Sequence, residues 1–157
     1  MRILLLQIDK TQESYLVEGI SQYEKRLKNY TNLETSTIQV PKDVRQRSFS
    51  EQKLEEARLI LKHLSKEDLL VLLDENGKEM SSTEFSAFIA QKQNSSVKRL
   101  VFLIGGPFGF DEQVYKRADF KLSFSRMTFS HQMIRLFFTE QLYRAFTILK
   151  GEKYHHS

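Results

Sequence analysis

The chain has 157 residues, 40% of them hydrophobic and 28% charged, with a net charge of +4. That is enough apolar material for one domain spanning residues 1–157, and the balance of charge to hydrophobic content excludes a disordered tract. There is no cysteine, which excludes disulfides and thiolate metal sites.

The first element is RILLLQI, residues 2–8, a short apolar run without helical period that predicts a buried strand. The run stops at Gln7 and Asp9, too early for a secretion signal or a membrane span, so the protein is expected in the cytoplasm. Residues 12–28 place Tyr15, Leu16, Ile20, Tyr23 and Leu27 at helical spacing. TSTIQV, 35–40, predicts a strand ending at Pro41, and the basic KDVRQRS, 42–48, a loop. A helix follows from Ser50, with Leu54, Ala57, Ile60, Leu61 and Leu64 as its stripe. DLLVLLD, 68–74, is a continuous apolar run, as expected of a strand covered on both faces. ENGK, 75–78, predicts a turn. Ser81 and Glu84 have capping-box spacing before a helix carrying Phe85, Phe88 and Ile89. RLVFLIGG, 99–106, predicts another buried strand ending in a glycine turn. A short helix over 111–118 and a strand over 120–124 come next. The last helix runs from about Ser130 to Lys150 and stops at Gly151. Strands alternating with helices predict an α/β fold with a parallel sheet.

In open parallel sheets, ligands bind outside the carboxyl ends of the strands. Three such ends are candidates: Leu73–Gly77, GGPFG at 105–109, and FSRMTF at 124–129. Glycines let a backbone approach a ligand closely. GGPFG is neither a dinucleotide fingerprint nor a P-loop, and a tight strand-to-helix turn alone would also explain it. His131 opens the last helix, where the dipole disfavours an imidazolium and suits a neutral base. Arg135 lies one turn on. Met133, Ile134, Phe137, Phe138, Leu142, Ala145, Ile148 and Leu149 form a wide apolar side, which core packing alone would explain and which could also be in part a subunit interface. The tail Tyr154, His155, His156 is either a frayed end or part of a site. The four histidines are not at metal-ligand spacing, so no metal is expected.

Charge is unevenly placed. Residues 121–157 hold six basic side chains (Lys121, Arg126, Arg135, Arg144, Lys150 and Lys153) against Glu140 and Glu152, while the first 120 residues hold eighteen of each sign. A basic end on a neutral body suits contact with a polyanion.

The segments FLIGGPFGF, LSFSRMTFSHQMIRLFFTEQLYRAF and GEKYH occur in an order and spacing that resembles the bacterial ribosomal large-subunit pseudouridine N3-methyltransferases (methyltransferase H) of the SPOUT superfamily, over essentially the whole chain. The resemblance implies a SPOUT-type parallel α/β domain whose C-terminal segment forms a deep trefoil knot. It implies a homodimer with its site near the interface and S-adenosyl-L-methionine as cofactor. The implied substrate is a pseudouridine in a stem-loop of 23S ribosomal RNA, methylated in the assembled ribosome. Leu73, Gly105, Phe124, Ser125, Arg126, Met127, Thr128 and Phe129 match the family's cofactor contacts. His131, Arg144, Tyr154 and His155 match its RNA-binding or catalytic positions. Two departures stand out. Asp9 replaces a usual glycine, at a turn expected to lie far from the methyl-transfer site. Ser130 replaces a proline and should still cap the helix. Two rival functions keep the fold: methylation of another RNA, such as a tRNA ribose, and a non-catalytic ribosome-binding protein.

Overall fold

The computed structural model describes residues 1–156. Five strands form one sheet: β1 (Arg2–Ile8), β2 (Leu33–Ile38), β3 (Leu69–Glu79), β4 (Arg99–Ile104) and β5 (Phe120–Ser123). Their spatial order is β2-β1-β4-β3-β5, and every neighbouring pair is parallel. Five α-helices connect and follow them: α1 (Ser14–Leu27), α2 (Phe49–Lys62), α3 (Ser82–Gln93), α4 (Glu112–Arg117) and α5 (Met133–Leu149).

The period of two along each strand sorts the core into two layers. Ile3, Leu5, Val71, Leu100, Phe102 and Leu122 face α1, α3 and α5. Leu4, Leu6, Leu70, Leu72, Val101 and Leu103 face α2 and α4. Both faces are covered, which is why the central strands read as unbroken apolar runs. The first layer is aromatic at its centre. Phe102 lies 4.8 Å from Phe138 and 6.0 Å, edge-on, from Phe85.

Helix starts follow local chemistry. Ser81 and Glu84 complete the expected capping box before α3, through Glu84 N to Ser81 Oγ at 3.1 Å and Ser81 N to Glu84 Oε2 at 2.7 Å. Ser48 caps α2 by accepting from Glu51 N. At the end of α5, Gly151 sits at φ +68°, with Gly151 N donating to Ile148 O and Glu152 N to Thr147 O. That pair of bonds is a Schellman motif and closes the helix where the sequence placed its end.

Four expectations change. The second strand begins at Leu33 and ends at Ile38, two residues earlier than read. The loop over 42–48 contains a 3₁₀ turn, Val44–Gln46. Leu54 points outward at 51% exposure, and Gln52 and Glu56 occupy the inner face of α2 instead. They can be buried there because Gln52 donates to Arg47 O and Glu56 pairs with Arg45. ENGK is not a hairpin-like turn but a bulge within β3. Leu73 and Lys78 both pair with Leu122, so residues 74–77 loop out and the strand resumes against β5.

Gly77 makes that return possible. A Cβ there would stand 2.7 Å from both Leu122 N and Lys121 C. The obstruction is backbone, which cannot swing aside. Gly77→Ala is therefore expected to pry β5 from β3 and cost roughly 1–3 kcal/mol in urea unfolding; an unchanged midpoint would show that the edge relaxes freely.

Candidate active site

A cavity of about 640 Å³ opens at the carboxyl ends of β3, β4 and β5. This volume lies in the range of small-molecule sites. Its wall comes from the three loops singled out in the sequence: the β3 bulge, GGPFG and the segment after β5. Leu73, Gly105, Phe124, Met127, Thr128, Phe129 and His131 all line it.

GGPFG is shaped by its own Phe110, whose ring folds back over Gly105. A Cβ on Gly105 would meet that ring at 2.8 Å. Phe124 is held edge-on to Phe85 at 6.1 Å, which ties the third loop to the core. Two of the expected cofactor residues do not line the cavity. Ser125 instead shapes the loop, taking Met127 N on its Oγ at 2.9 Å while its carbonyl accepts from Ser123 Oγ at 2.7 Å. Arg126 turns outward, 3.9 Å from Glu79, with its side chain 86% exposed. Sequence position alone could not separate lining residues from loop-shaping ones. It also passed over Tyr115 on α4, whose hydroxyl donates to Asp74 at 2.7 Å at the cavity wall.

His131 enters the cavity from the turn before α5. Ser130 Oγ accepts Met133 N at 3.1 Å, but α5 starts only at Met133, behind Gln132, so the serine braces the turn before the helix instead of sitting at its N-cap. Burial, and then the charge of Arg135, push the imidazolium below its ordinary value, with Asp9 opposing and Arg45 adding to the fall. A neutral base was expected from the helix dipole; burial and a neighbouring cation push the same way.

Arg135 is the least anticipated residue. Counted in the sequence among the basic side chains of a polyanion-binding end, it is fully buried. Nη2 donates to Ile8 O at 2.6 Å and Nη1 to Thr11 Oγ1 at 3.0 Å, and buried Nε has no partner. Burial pushes its pKa down to about 10, so it stays cationic at neutral pH. Beside it, Gln132 accepts Gln12 N at 3.0 Å. The start of α5 is thus bolted to the segment after β1. Asp9 belongs to the same place. It adopts φ +59°, the left-handed conformation that suits the family's glycine, accepts Val40 N at 3.2 Å and pairs with Arg45, which also reaches Glu56 at 2.8 Å. The expectation that this turn lies far from the site is corrected. Its carboxylate acts on both Arg135 and His131, and Glu56 stands 3.0 Å from where a Cβ on Gly106 would be.

Arg144, Tyr154 and His155 gather elsewhere, around Glu140. Glu140 Oε1 accepts Arg144 Nη2 at 2.5 Å, Arg144 Nε at 3.1 Å and Tyr154 OH at 2.9 Å. The Arg144 guanidinium lies 4.6 Å from the Tyr154 ring centre, and its Nη1 meets His155 Nδ1 at 3.2 Å. Burial and the bonds to Tyr23 and Glu140 push the Tyr154 phenol up, so it remains a donor. The tail is not frayed through His155: Tyr154 reaches Tyr23 on α1, and Glu152 accepts Tyr30 OH at 2.7 Å. Within one chain this cluster stands about 20 Å along α5 from His131, from the helical rise between positions 131 and 144. The structure therefore brings six of the eight cofactor candidates and His131 together and leaves Arg144, Tyr154 and His155 apart.

Among the described residues no three His, Asp or Glu side chains gather as metal ligands, and no helix is long and apolar enough to cross a membrane. The depressed His131 value sets a sign. Between it and the ordinary value near 6.5, the unfolded chain binds a proton that the folded chain refuses, so stability falls as pH drops through that window. Arg135→Met should raise the imidazole titration seen by NMR and flatten that fall; an unmoved titration would disprove the coupling.

The family model described as "Predicted SPOUT methyltransferase" matches residues 1–155. Curated relatives match nearly end to end. "Ribosomal RNA large subunit methyltransferase H" of Christiangramia forsetii is 53% identical over 99% of each chain, and its namesake from Flavobacterium johnsoniae 54% over 99% of each. Among solved structures, the SpoU methyltransferase AviRb of Streptomyces viridochromogenes, in complex with AdoMet, aligns with a TM-score of 0.44 at 14% identity, covering 96% of this chain and 61% of that one. With its parallel five-stranded sheet and strand-end cavity, the chain belongs to the SPOUT methyltransferase family, among the ribosomal RNA large subunit methyltransferase H proteins.

Proposed function

We propose that this protein uses S-adenosyl-L-methionine to methylate N3 of a pseudouridine in a stem-loop of 23S ribosomal RNA, acting in the cytoplasm on the assembled ribosome as a homodimer. The observation that carries the reading is His131, held neutral in the wall of a cavity built from three strand-end loops. The cavity suits the cofactor: Leu73, Phe110, Phe124 and Ile134 offer an apolar bed, and Asp74 and Glu75 offer acceptors. When bound, the cofactor supplies an electrophilic methyl group.

The chain's own residues must then orient the base and remove the imide proton from N3. Two histidines are candidates, and their hydrogen bonds separate them. Arginine only donates, so Nδ1 of His155 must accept from Arg144 and its proton sits on Nε2. In that arrangement Nε2 is a donor and cannot take a proton. His131 Nε2 meets only the neutral amide of Gln132, at a long 3.5 Å, which leaves its proton on Nδ1 and a weakly engaged lone pair on Nε2, so it is the better base. Arg144 keeps Nη1 toward the tail while Glu140 holds its other two nitrogens, a posture suited to a phosphate or a base carbonyl. Tyr154 aligns the base beside it.

This division requires a second copy. His131 and the Arg144 cluster lie too far apart to hold one target nucleotide within one chain, whereas an antiparallel pair of α5 helices would place one protomer's tail over its partner's cavity. Partly uncovered Met133, Phe137 and Leu149 support that pairing. The implied knot is part of this proposal. β5 is an edge strand, yet the chain recrosses from it to bolt α5 to the end of β1.

Incubation with labelled cofactor and free rRNA, isolated subunits or whole ribosomes, followed by mass spectrometry of the nucleosides, tests the substrate; N3-methylpseudouridine from whole ribosomes alone is expected, and label only in tRNA would reverse it. His131→Ala should lower kcat by about 10²–10⁴-fold, while His155→Ala should act mainly on KM; a His131→Ala enzyme with ordinary kcat removes that base. Mixing His131→Ala and Tyr154→Phe chains tests the shared site, since half of the dimers then carry one intact site and about a quarter of the activity returns. A site complete within one chain recovers nothing.

A further inference from the structure

The lining of the cavity contains two carboxylates, Asp74 and Glu75, and no lysine or arginine. Neither carboxylate has a salt-bridge partner among the described residues. Asp74 accepts Tyr115 OH at 2.7 Å and Asn76 N at 2.9 Å, and Glu75 accepts Thr128 OH at 2.5 Å. All three donors are neutral, so the negative charges are held in place without being cancelled. Two neighbouring cations form no ion pair with them: Lys121 sits over the Tyr115 ring at 5.6 Å, and Arg126 lies 3.9 Å from Glu79. His131, the remaining titratable group of the wall, is biased towards its neutral form.

The uncancelled charge sits where a change of ligand charge occurs in every turnover. A sulfonium methyl donor carries a positive sulfur, an ammonium and a carboxylate, net +1. Once the methyl has left with the N3 lone pair, the sulfur keeps the carbon–sulfur electron pair and becomes a neutral thioether, and the molecule is net zero. The imide proton passes to the base, so charge is conserved across the complex. Resting on the cofactor reading above, we propose that Asp74 and Glu75 make this cavity charge-selective: they favour the sulfonium over its thioether product, and so help expel the product after each methylation.

The size of the effect follows from Coulomb's law. A unit charge about 8 Å from one carboxylate, at an effective dielectric between about 20 and 40, is favoured roughly five- to thirtyfold over a neutral ligand. Glu75 is the sharper lever because it also spans the mouth, joining the β3 bulge to the loop after β5 through Thr128. Glutamine keeps an oxygen for that hydroxyl and removes only the charge. Valine at position 128 does the reverse.

Isothermal titration of the full chain with S-adenosylmethionine and with S-adenosylhomocysteine measures the ratio of the two affinities. Glu75→Gln is expected to weaken the sulfonium ligand at least threefold and leave the thioether within twofold, with Asp74→Asn moving the ratio the same way. Thr128→Val should weaken both ligands alike. Equal loss for both ligands in Glu75→Gln and Asp74→Asn would overturn the inference, since it marks a hydroxyl-holding role, and so would an unchanged ratio. Wild-type chain that binds neither ligand would instead sink the cofactor reading itself.

Discussion

The site depends on one buried cation. Arg135 contributes no contact to the cavity wall, yet its guanidinium fastens the start of α5 to the carbonyl of Ile8 and the hydroxyl of Thr11. A charge with no carboxylate in contact is costly to bury. The cost is offset by the two hydrogen bonds and by the Asp9 carboxylate, which opposes the loss of the arginine's proton. In return the fold gains a rigid mount for the residue four positions earlier. His131 points into the cavity because α5 is fastened to the end of β1, and burial, helped by the same charge that fixes the helix, biases the imidazole towards its neutral form.

Asp9 shows how a substitution can be absorbed. A left-handed backbone position disfavours a side chain with a Cβ, but aspartate tolerates it better than most residues. The carboxylate then finds Val40 N and Arg45, and Arg45 reaches on to Glu56 below GGPFG. A turn that glycine would close by conformational freedom alone is closed here by a chain of polar contacts running from β1 to a cavity loop.

Much of this was legible in the sequence. The buried strands announced themselves because they are covered on both faces, and the rule that parallel sheets bind ligands at their carboxyl ends located all three loops. What escaped reading depended on tertiary geometry. Leu54 has the right period for a core stripe, but the inner face of α2 is set by the partners available to Gln52 and Glu56. ENGK has turn composition, and only the position of β5 turns it into a bulge. Ser125 and Arg126 share a motif with cavity residues, yet one folds inward on its own loop and the other faces solvent. Arg135 looked like surface charge because nothing local reveals that the carbonyl of Ile8, 127 positions away, needs a donor.

That separation has a consequence for biosynthesis. The contacts that mount His131 join the first strand to the last helix, so they can form only late in synthesis. Before α5 has emerged, the first core layer lacks Phe138, Leu142 and Phe146, and the cavity lacks both its wall on the α5 side and its imidazole. Pairings so distant in sequence are slow to form. The cavity is therefore complete only once the final helix has locked onto the first strand.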